Sequence, residues 1–449
     1  MRPANRVMVA GTSSGCGKTT LTCALLQALV DRGLDVAAFK CGPDYIDPMF
    51  HSRITGAKCR NLDPFFHNPA VMRYLLRENA GEVSLLEGAM GYYDGAGDLG
   101  SSWQAACATG TPAVLVLDCK GMGQSVGAVM EGFLRFRHPS QIAGFIFNRL
   151  SPRLVPTARQ MCQALGVAYL GYFPPCPECG FPSRHLGLVT AAEVEDLKER
   201  ARRLAELARR HLDLDALLAL AVSAPALPAG DVPFPPPVQS PPVPVAWAYD
   251  QAFCFYYADD LALLRHLGCR LVPFSPLKDQ ALPGGCVGLL LGGGYPELHA
   301  AALAANRPMR QAIRQAVTGG LPTLAECGGF LYLHNTLEDD TGIPHDMVGV
   351  IPGAGFRTGR LQRFGYTLLT ARQNNLLCNA GETLKAHEFH YWDSTAPGQG
   401  FTAQKVSSGQ CAPCAWASPT LYAGFPHLNL CASPAAAARF VSACAARLG

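Results

Sequence analysis

Short apolar runs alternate with stretches of helical periodicity along the first half of the chain. Six of these runs have the length of strands: residues 7–10, 36–39, 83–87, 113–118, 142–147 and 168–172. Because the runs are almost continuously apolar, we expect each strand to be buried on both faces. That pattern predicts a parallel sheet covered by helices, as in an α/β domain.

The first half ends in a long amphipathic segment, residues 191–221. Charged residues occupy one helical face of this segment, and the other face carries four leucines: Leu197, Leu204, Leu207 and Leu214. This spacing predicts one long helix whose leucines pack inward and whose Glu and Arg residues lie in solvent.

The pattern breaks between residues 223 and 244, where nine prolines interrupt the chain. Such a run does not sustain a helix or a central strand and predicts a stiff, extended linker. Beyond it, a helical stretch at 258–267 accompanies renewed strand-like runs at 245–248, 270–274, 287–291 and 323–325. We therefore predict two α/β domains, residues 1–222 and 245–449, joined by the linker 223–244.

Composition narrows the class of protein. A chain of 449 residues exceeds what one hydrophobic core usually supports, which agrees with two domains. The net charge of +3 gives no reason to expect nucleic-acid or membrane binding. The first residues have no apolar signal-peptide core and no window reaches about 18 apolar residues, so we expect a cytoplasmic protein.

Most of the 18 cysteines lie singly in apolar runs, where a reduced thiol acts as a small hydrophobe. Two pairs have the spacing of zinc ligands, Cys176 with Cys179 and Cys411 with Cys414. A shared zinc site is one interpretation of these pairs. We favour free thiols, because the pairs lie far apart in segments that look like loops.

A glycine-rich segment joins the first strand to the first helix and has the composition of a phosphate-binding loop. Its candidate nucleotide-binding residues are Gly11, Thr12, Gly15, Gly17, Lys18, Thr19 and Thr20. In such a loop, backbone N–H groups face the phosphates, the lysine reaches the terminal phosphates and the hydroxyl after it binds Mg²⁺. The strict pattern leaves four residues between its glycines, whereas five separate Gly11 and Gly17 here. The structural alternative is a plain glycine-rich turn.

A second reactive segment lies in the other half. Cys327 stands between an apolar run and a helical pattern, a geometry that exposes the sulfur in a tight turn and favours the thiolate. The glycine-rich turn at 292–297 offers Gly293 and Gly294 as oxyanion donors. His427, one hundred positions after the cysteine, is the candidate base. His387 and His390 are rivals for that role, which we interpret as structural or substrate-facing.

These residues resemble the class I glutamine amidotransferase domain, in the type found in corrin-ring amidases. The resemblance implies a flavodoxin-like fold in which Cys327 attacks the glutamine amide, ammonia leaves and the glutamyl thioester is hydrolysed. Many class I domains carry a glutamate two positions after the histidine. This chain has Asn429 there, so the sequence does not identify a third member of the triad.

The five-residue spacing of the phosphate loop resembles that of dethiobiotin synthetase and of the cobyrinic acid a,c-diamide synthase family. Segments 40–48 and 87–95 resemble the Lys-x-Gly-Pro-Asp-Tyr-x-Asp-Pro and Glu-Gly-x-Met-Gly-x-x-Asp-Gly segments of that synthase family. The first domain is therefore expected to be a dethiobiotin-synthetase-like parallel sheet.

The same resemblance implies roles for individual residues. Oxygen ligands at strand ends suit Mg²⁺, and Asp47 and Glu87 are the candidates beside Thr19. Asn148 is expected to contact adenine. The expected substrate contacts are Asp44, Tyr45, Ile46, Asp94, Arg184 and His185.

The function implied is an ATP- and Mg²⁺-dependent carbon–nitrogen ligase. It would amidate the a- and c-acetates of cobyrinic acid through acyl phosphates, with ammonia from glutamine. The same reaction on hydrogenobyrinic acid or nickel-sirohydrochlorin stays open, as does formation of a homodimer. An ATPase switch of the chromosome- or septum-positioning kind is disfavoured, because Ser13 stands where such proteins carry a signature lysine.

Overall fold

The computed structural model describes residues 4–56, 59–97, 99–179, 183–184, 187–188, 196–238 and 242–448. The chain divides into two compact units between Pro233 and Phe234. This boundary lies inside the proline-rich segment 223–244. Among the helices of the described residues, none is long and apolar enough to cross a membrane.

The first unit is built on a seven-stranded parallel sheet in the order β3-β2-β4-β1-β5-β6-β7. Its strands are β1 (Arg6–Gly11), β2 (Val36–Cys41), β3 (Arg60–Leu62), β4 (Val83–Glu87), β5 (Ala113–Asp118), β6 (Ile142–Asn148) and β7 (Ala168–Phe173). The six predicted strands end within two residues of the observed ones, and the short edge strand β3 was not predicted. Mostly apolar runs are found where a strand is buried on both faces, as in β1 and β4.

Helices cover this sheet and contribute to its core. They are α1 (Lys18–Asp31), α2 (Ile46–Thr55), α3 (Pro69–Glu78), α4 (Ser102–Thr109), α5 (Ser125–Phe136), α6 (Val155–Leu165), α7 (Leu197–His211) and α8 (Leu214–Val222). The two-residue strands β8 (Ser183–Arg184) and β9 (Gly187–Leu188) form a small antiparallel pair. The expected α/β class is confirmed for this unit.

The single helix predicted over 191–221 is wrong, because the chain breaks into α7 and α8. Leu212 leaves the helix and bridges Gly171 of β7, and Asp213 N donates to Leu170 O at 2.9 Å. The Asp213 side chain then accepts from Ala216 N at 2.9 Å and begins α8. The predicted leucine face does pack inward, since Leu197, Leu204 and Leu214 are buried and Leu207 packs against the core.

The second unit contains a six-stranded sheet in the order β11-β10-β12-β13-β23-β22, parallel except for the edge strand β22. Its strands are β10 (Val243–Ala248), β11 (Cys269–Phe274), β12 (Gly288–Leu291), β13 (Thr323–Glu326), β22 (Trp416–Ser418) and β23 (Leu421–Gly424). Its helices are α9 (Ala258–His266), α10 (Ala300–Ala305), α11 (Arg307–Thr318), α12 (Gly328–Tyr332) and α13 (Pro434–Ala445). This arrangement confirms the second α/β domain.

Two further sheets of the second unit were not predicted as such. A four-stranded sheet contains β14 (His334–Glu338), β15 (Pro344–Asp346), β16 (Ile351–Arg357) and β19 (Trp392–Ser394). A five-stranded antiparallel sheet contains β17 (Arg363–Ala371), β18 (Thr383–His390), β20 (Phe401–Lys405), β21 (Cys411–Cys414) and β24 (His427–Leu428). Several of their strands mix buried and exposed positions, so they lack the continuous apolar signal of a buried parallel strand.

The expectation of free thiols is wrong for one cysteine pair. Cys176 and Cys179 form a disulfide across a single 3₁₀ turn, Pro177–Cys179. Cys411 and Cys414 are free thiols, the first exposed and the second buried in β21. Within the described ranges, no group of three His, Cys, Asp or Glu residues could hold a metal ion.

Candidate active sites

The phosphate-binding loop runs from the end of β1 to the start of α1. Gly15 and Gly17 adopt φ values of 73° and 98°, in the left-handed region that favours glycine. A Cβ atom on Gly11 would lie 2.2 Å from Cys16 Sγ. These three glycines therefore allow a tight loop around the N-terminus of α1, where backbone N–H groups are free of helical partners.

Lys18 is buried at the start of α1 and its ammonium group lies within this loop. Its Nζ donates to Ser13 O at 2.8 Å. Burial lowers the pKa of Lys18, and the nearby Cys16, Glu87 and Asp47 oppose that shift. The amine therefore lies in a confined space, where an anionic ligand would favour its charged form.

Asn148, at the end of β6, supports the same loop. Its Nδ2 donates to Cys16 O at 2.8 Å, and a Cβ on Gly17 would lie 2.4 Å from that nitrogen. The side chain thus packs directly against the turn before α1. The expected contact with adenine stays a prediction, and the contact of Asn148 with the loop was not predicted.

A buried polar cluster lies beside the loop, at the carboxyl ends of β2 and β4. Thr19 Oγ1 donates to Glu87 Oε1 at 2.7 Å and to Asp47 Oδ2 at 3.1 Å. Lys40 Nζ lies 2.9 Å from Glu87 Oε1 and also contacts Asp47. The three expected metal ligands, Thr19, Asp47 and Glu87, therefore lie together here, and Lys40 contacts both carboxylates.

The members of this cluster shift one another's pKa values. Burial alone would raise the pKa of Glu87, but Lys40 and His51 outweigh burial and hold it well below its usual range. His51 Nε2 lies 2.7 Å from Glu87 Oε2. Burial and the neighbouring Asp44 raise the pKa of Asp47. Burial would lower the pKa of Lys40, yet its carboxylate neighbours carry it well above the ordinary value.

The expected substrate residues lie at several places around this cluster. Asp44 Oδ2 is 3.7 Å from Lys40 Nζ, and its Oδ1 accepts from Ile46 N at 2.8 Å, at the start of α2. Tyr45 precedes α2 and Ile46 is its buried first residue. Asp94 is exposed after β4 and accepts from Gly91 N at 2.7 Å.

The two remaining substrate candidates are not placed by the structure. Arg184 lies in β8, and nothing further is described for it. His185 lies outside the described residues. Their implied contact with substrate acid groups stays a prediction.

In the second unit, Cys327 occupies a strained turn between β13 and α12. Its φ of 45° and ψ of −98° are unusual for a residue with a side chain. Cys327 N donates to Gly424 O at 2.8 Å, which ties the turn to β23. A Cβ on Gly329 would lie 2.1 Å from Leu291 O, so only glycine lets α12 approach β12 this closely. The geometry is that of a nucleophile elbow.

His427, in β24, lies next to this elbow. A Cβ on Gly293 would lie 2.4 Å from His427 Cε1, which places the imidazole against the glycine-rich turn. Burial would lower the pKa of His427, but Cys327 and Glu326 together raise it to about 10. The imidazole is therefore stabilised as a cation beside the cysteine, as in a thiolate–imidazolium pair.

Glu326, immediately before the cysteine, is a site residue that sequence reasoning missed. Its Oε2 lies 3.7 Å from His427 Nδ1, and its Oε1 accepts from Leu428 N at 3.2 Å. Asn429 instead accepts from Ala432 N at 2.9 Å and caps a 3₁₀ turn. The signal available was the carboxylate next to the candidate nucleophile, but its approach to β24 depends on tertiary structure.

The glycine-rich turn after β12 lies against the elbow. Cys254 N and Phe255 N both donate to Gly293 O at 3.0 Å. In a trans peptide the N–H of Gly294 points away from that carbonyl. Gly294 N would lie 3.1 Å from a Cβ on Gly328, the residue after the cysteine. Gly293 and Gly294 are the two expected oxyanion donors, and the backbone nitrogen of Gly294 is the one that lies beside the elbow.

His387 and His390, the rival bases, lie in β18. Burial lowers the pKa of each to about 3, so both are neutral near pH 7. His387 pairs with His427 across the sheet, and His390 stacks on Phe425 with ring centroids 3.9 Å apart. These contacts support a structural role rather than a role as base.

Comparisons with known proteins match both units. Residues 7–186 match the family model described as the CobQ/CobB/MinD/ParA nucleotide binding domain. Residues 244–419 match that of the CobB/CobQ-like glutamine amidotransferase domain.

Relatives align with nearly the whole chain. A cobyrinate a,c-diamide synthase of Salmonella typhimurium is 40% identical over 441 residues, covering 95% of each chain. One from Listeria monocytogenes serotype 4b is 40% identical over 409 residues, covering 88% of each. One from a Synechocystis species is 36% identical over 451 residues, covering 98% of this chain and 93% of the relative.

Proposed function

This chain belongs to the cobyrinate a,c-diamide synthase family, and from that premise we propose that it amidates the a- and c-acetate carboxylates of cobyrinic acid. ATP would activate each carboxylate and glutamine would supply the nitrogen. The observation that carries the proposal is the presence, in one chain, of a phosphate loop with a buried cation–carboxylate cluster and of a cysteine elbow with a paired histidine.

Glutamine hydrolysis is assigned to the second unit. The Cys327 thiolate attacks the side-chain carbonyl of glutamine, and the Gly294 N–H stabilises the oxyanion. His427 gives its proton to the departing amine, so ammonia leaves and a glutamyl thioester remains. A water molecule then attacks the thioester while His427 takes its proton, which releases glutamate and restores the thiolate.

Carboxylate activation is assigned to the first unit. A carboxylate does not react with ammonia directly, because oxide is too poor a leaving group. In the proposed step, an acetate oxygen of the substrate attacks the γ-phosphorus of ATP and ADP leaves, which forms an acyl phosphate. Ammonia then attacks the acyl carbon, and phosphate leaves as the amide forms. Lys18 would stabilise charge on the transferred phosphoryl group.

The buried cluster also fits a magnesium ion. Thr19, Asp47 and Glu87 offer a hydroxyl and two carboxylates, the oxygen ligands that Mg²⁺ prefers. They would hold the ion beside the phosphates, where it would neutralise phosphate charge. Two carboxylates and a hydroxyl leave room in an octahedral shell for phosphate and water oxygens.

One assay tests which macrocycle is the substrate of this chain. Glutamine-dependent ATP turnover is measured with cobyrinic acid, hydrogenobyrinic acid and nickel-sirohydrochlorin side by side. We expect the strongest stimulation with cobyrinic acid. Stronger stimulation by either other macrocycle would reassign the substrate, and no stimulation by any of the three would contradict the proposed function.

A further inference from the structure

A cavity of about 480 Å³ opens beside the phosphate loop of the first unit. Thr12 and Asp94 border it on the loop side, and aromatic residues form most of the rest: Tyr92, Tyr93, Phe133 and Phe136. Its volume lies within the range of about 300–1,000 Å³ typical of small-molecule sites. An apolar wall with few polar groups suits a ligand with a large flat apolar face.

The aromatic wall is held in a fixed arrangement. Tyr93 stacks on Phe133 with ring centroids 5.6 Å apart, and its hydroxyl donates to Phe133 O at 2.6 Å. Phe136 approaches Tyr93 with centroids 5.2 Å apart. Ring positions fixed in this way offer a surface for stacking with little further loss of side-chain freedom.

Helix α5, which carries Phe133 and Phe136, is unusually exposed for its sequence. Only Val126 and Met130 are buried among its residues, although most of the helix is apolar. Phe136 is 67% exposed at its end. An apolar helix face in water at the edge of a cavity is typical of a binding site.

The cavity adjoins the atoms that would bind the phosphates. Tyr92 N donates to Gly11 O at 2.8 Å, which fixes the segment after β4 against the start of the phosphate loop. A Cβ on Gly91 would lie 3.0 Å from Thr12 O. A carboxylate on a ligand in this cavity would therefore be next to the loop that presents the γ-phosphate.

A positive charge lies at the rim. The Arg137 guanidinium carbon is 4.9 Å from the ring centroid of Trp103 and 5.7 Å from that of Phe136. A cation stacked on the aromatic wall suits a ligand that carries several carboxylates around an apolar core.

We infer that the corrin macrocycle packs one face against Tyr93, Phe133 and Phe136. Its reacting acetate points to Thr12, and a second peripheral carboxylate meets Arg137. This inference rests on the proposed function and deepens it, since it assigns the site that holds the substrate. A macrocyclic ligand fits better than a protein surface, because the aromatic residues line a cavity that also includes Thr12 of the phosphate loop.

The principal test uses Phe136→Ala in the full-length protein. The matched control is Val222→Ala, at the end of α8 in the same unit, because Val222 is 65% exposed and is placed in no site. The ligand is whichever of the three macrocycles stimulates ATP turnover most, titrated by its absorbance change. We expect Phe136→Ala to raise the Kd and KM for the macrocycle about tenfold, corresponding to one lost aromatic contact. The KM for ATP, the hydrolysis of glutamine and the molar mass by light scattering should not change, and the control should match the wild type.

Arg137→Gln provides an independent readout. It should raise the macrocycle Kd about fivefold at low ionic strength, and the effect should shrink as salt is added. An unchanged macrocycle Kd in both variants would overturn the inference while leaving the proposed function intact. A changed molar mass with an unchanged macrocycle Kd would also overturn the inference and leave the proposed function intact. It would show that the aromatic wall is an interface between copies of this chain. If no macrocycle stimulates the wild type, the proposed function itself fails, and the inference fails with it.

Discussion

The phosphate-loop centre of the first unit gathers buried titratable side chains, whereas the Cys327 centre of the second unit depends on a strained backbone. Lys40, Asp47 and Glu87 are buried together and hold one another in place by charge. Cys327 is positioned by its own φ of 45° and by close packing at Gly329. Under the proposed function, we expect the ion pairs of the first centre to rearrange when phosphate or metal binds, whereas the turn at Cys327 is already formed without glutamine.

The strongest way to separate the two centres is Cys327→Ala. The loss of the nucleophile should reduce glutamine-dependent amidation by about 10³-fold or more, because no other group can form the thioester. Amidation driven by free ammonium should stay close to the wild-type rate. Both rates are measured by ATP-dependent amide formation. A comparable loss with ammonium would show that the two centres do not divide the reaction as proposed.

Lys18→Ala tests the charge-based centre in the same way. We expect a loss of about 10²- to 10³-fold with either nitrogen source, because a cation on the transferred phosphoryl group is missing. Hydrolysis of glutamine, measured as the release of glutamate, should persist in this variant. Full ATP-dependent amidation would contradict the assignment of the phosphate site.

Glu326→Gln tests whether the second centre also depends on charge. Glu326 raises the pKa of His427, so its neutralisation should lower that pKa. Activity that needs the imidazolium is lost as the pH rises through the histidine pKa, so the alkaline limb of the glutaminase profile should move to lower pH. We also expect kcat to fall about tenfold. An unchanged pH profile would show that Glu326 accepts the hydrogen bond from Leu428 N but does not set the pKa of His427.

Asn148→Ala should have the smallest effect of the four. It removes one hydrogen bond to Cys16 O and leaves the charges of the first centre in place. A single such bond contributes about 1 kcal/mol, so the KM for ATP should rise roughly fivefold. Steady-state kinetics with saturating ammonium isolates this effect. An unchanged KM would mean that the glycines alone hold the loop.

The sequence was most informative where chemistry is local. The phosphate loop and the elbow each need a particular order of glycines and reactive residues between a strand and a helix, and those orders are visible without a fold. The buried parallel strand β5 was predicted to the residue, because its apolar run from Ala113 to Leu117 is continuous.

Features that depend on distant contacts were not predictable in this way. The break between α7 and α8 depends on the bridge between Leu212 and Gly171. Gly171 lies outside the segment 191–221, so the helical pattern of that segment carries no sign of the bridge. Glu326 meets His427 only because β13 and β24 lie near each other. The strands β16 and β17 mix buried and exposed positions, so their apolar signal is weak.

The exposure of Phe136 has a consequence for the evolution of this chain. A substitution at Gly329 or Gly11 would collide with neighbouring atoms and damage the fold, so those positions have little freedom to vary. A substitution at Phe136 removes little buried surface and carries almost no folding penalty. Selection can therefore reshape the rim of the aromatic cavity in single steps while the reaction machinery stays constant. If the cavity holds the macrocycle as inferred, specificity for one macrocycle over another can change faster than the chemistry performed on it.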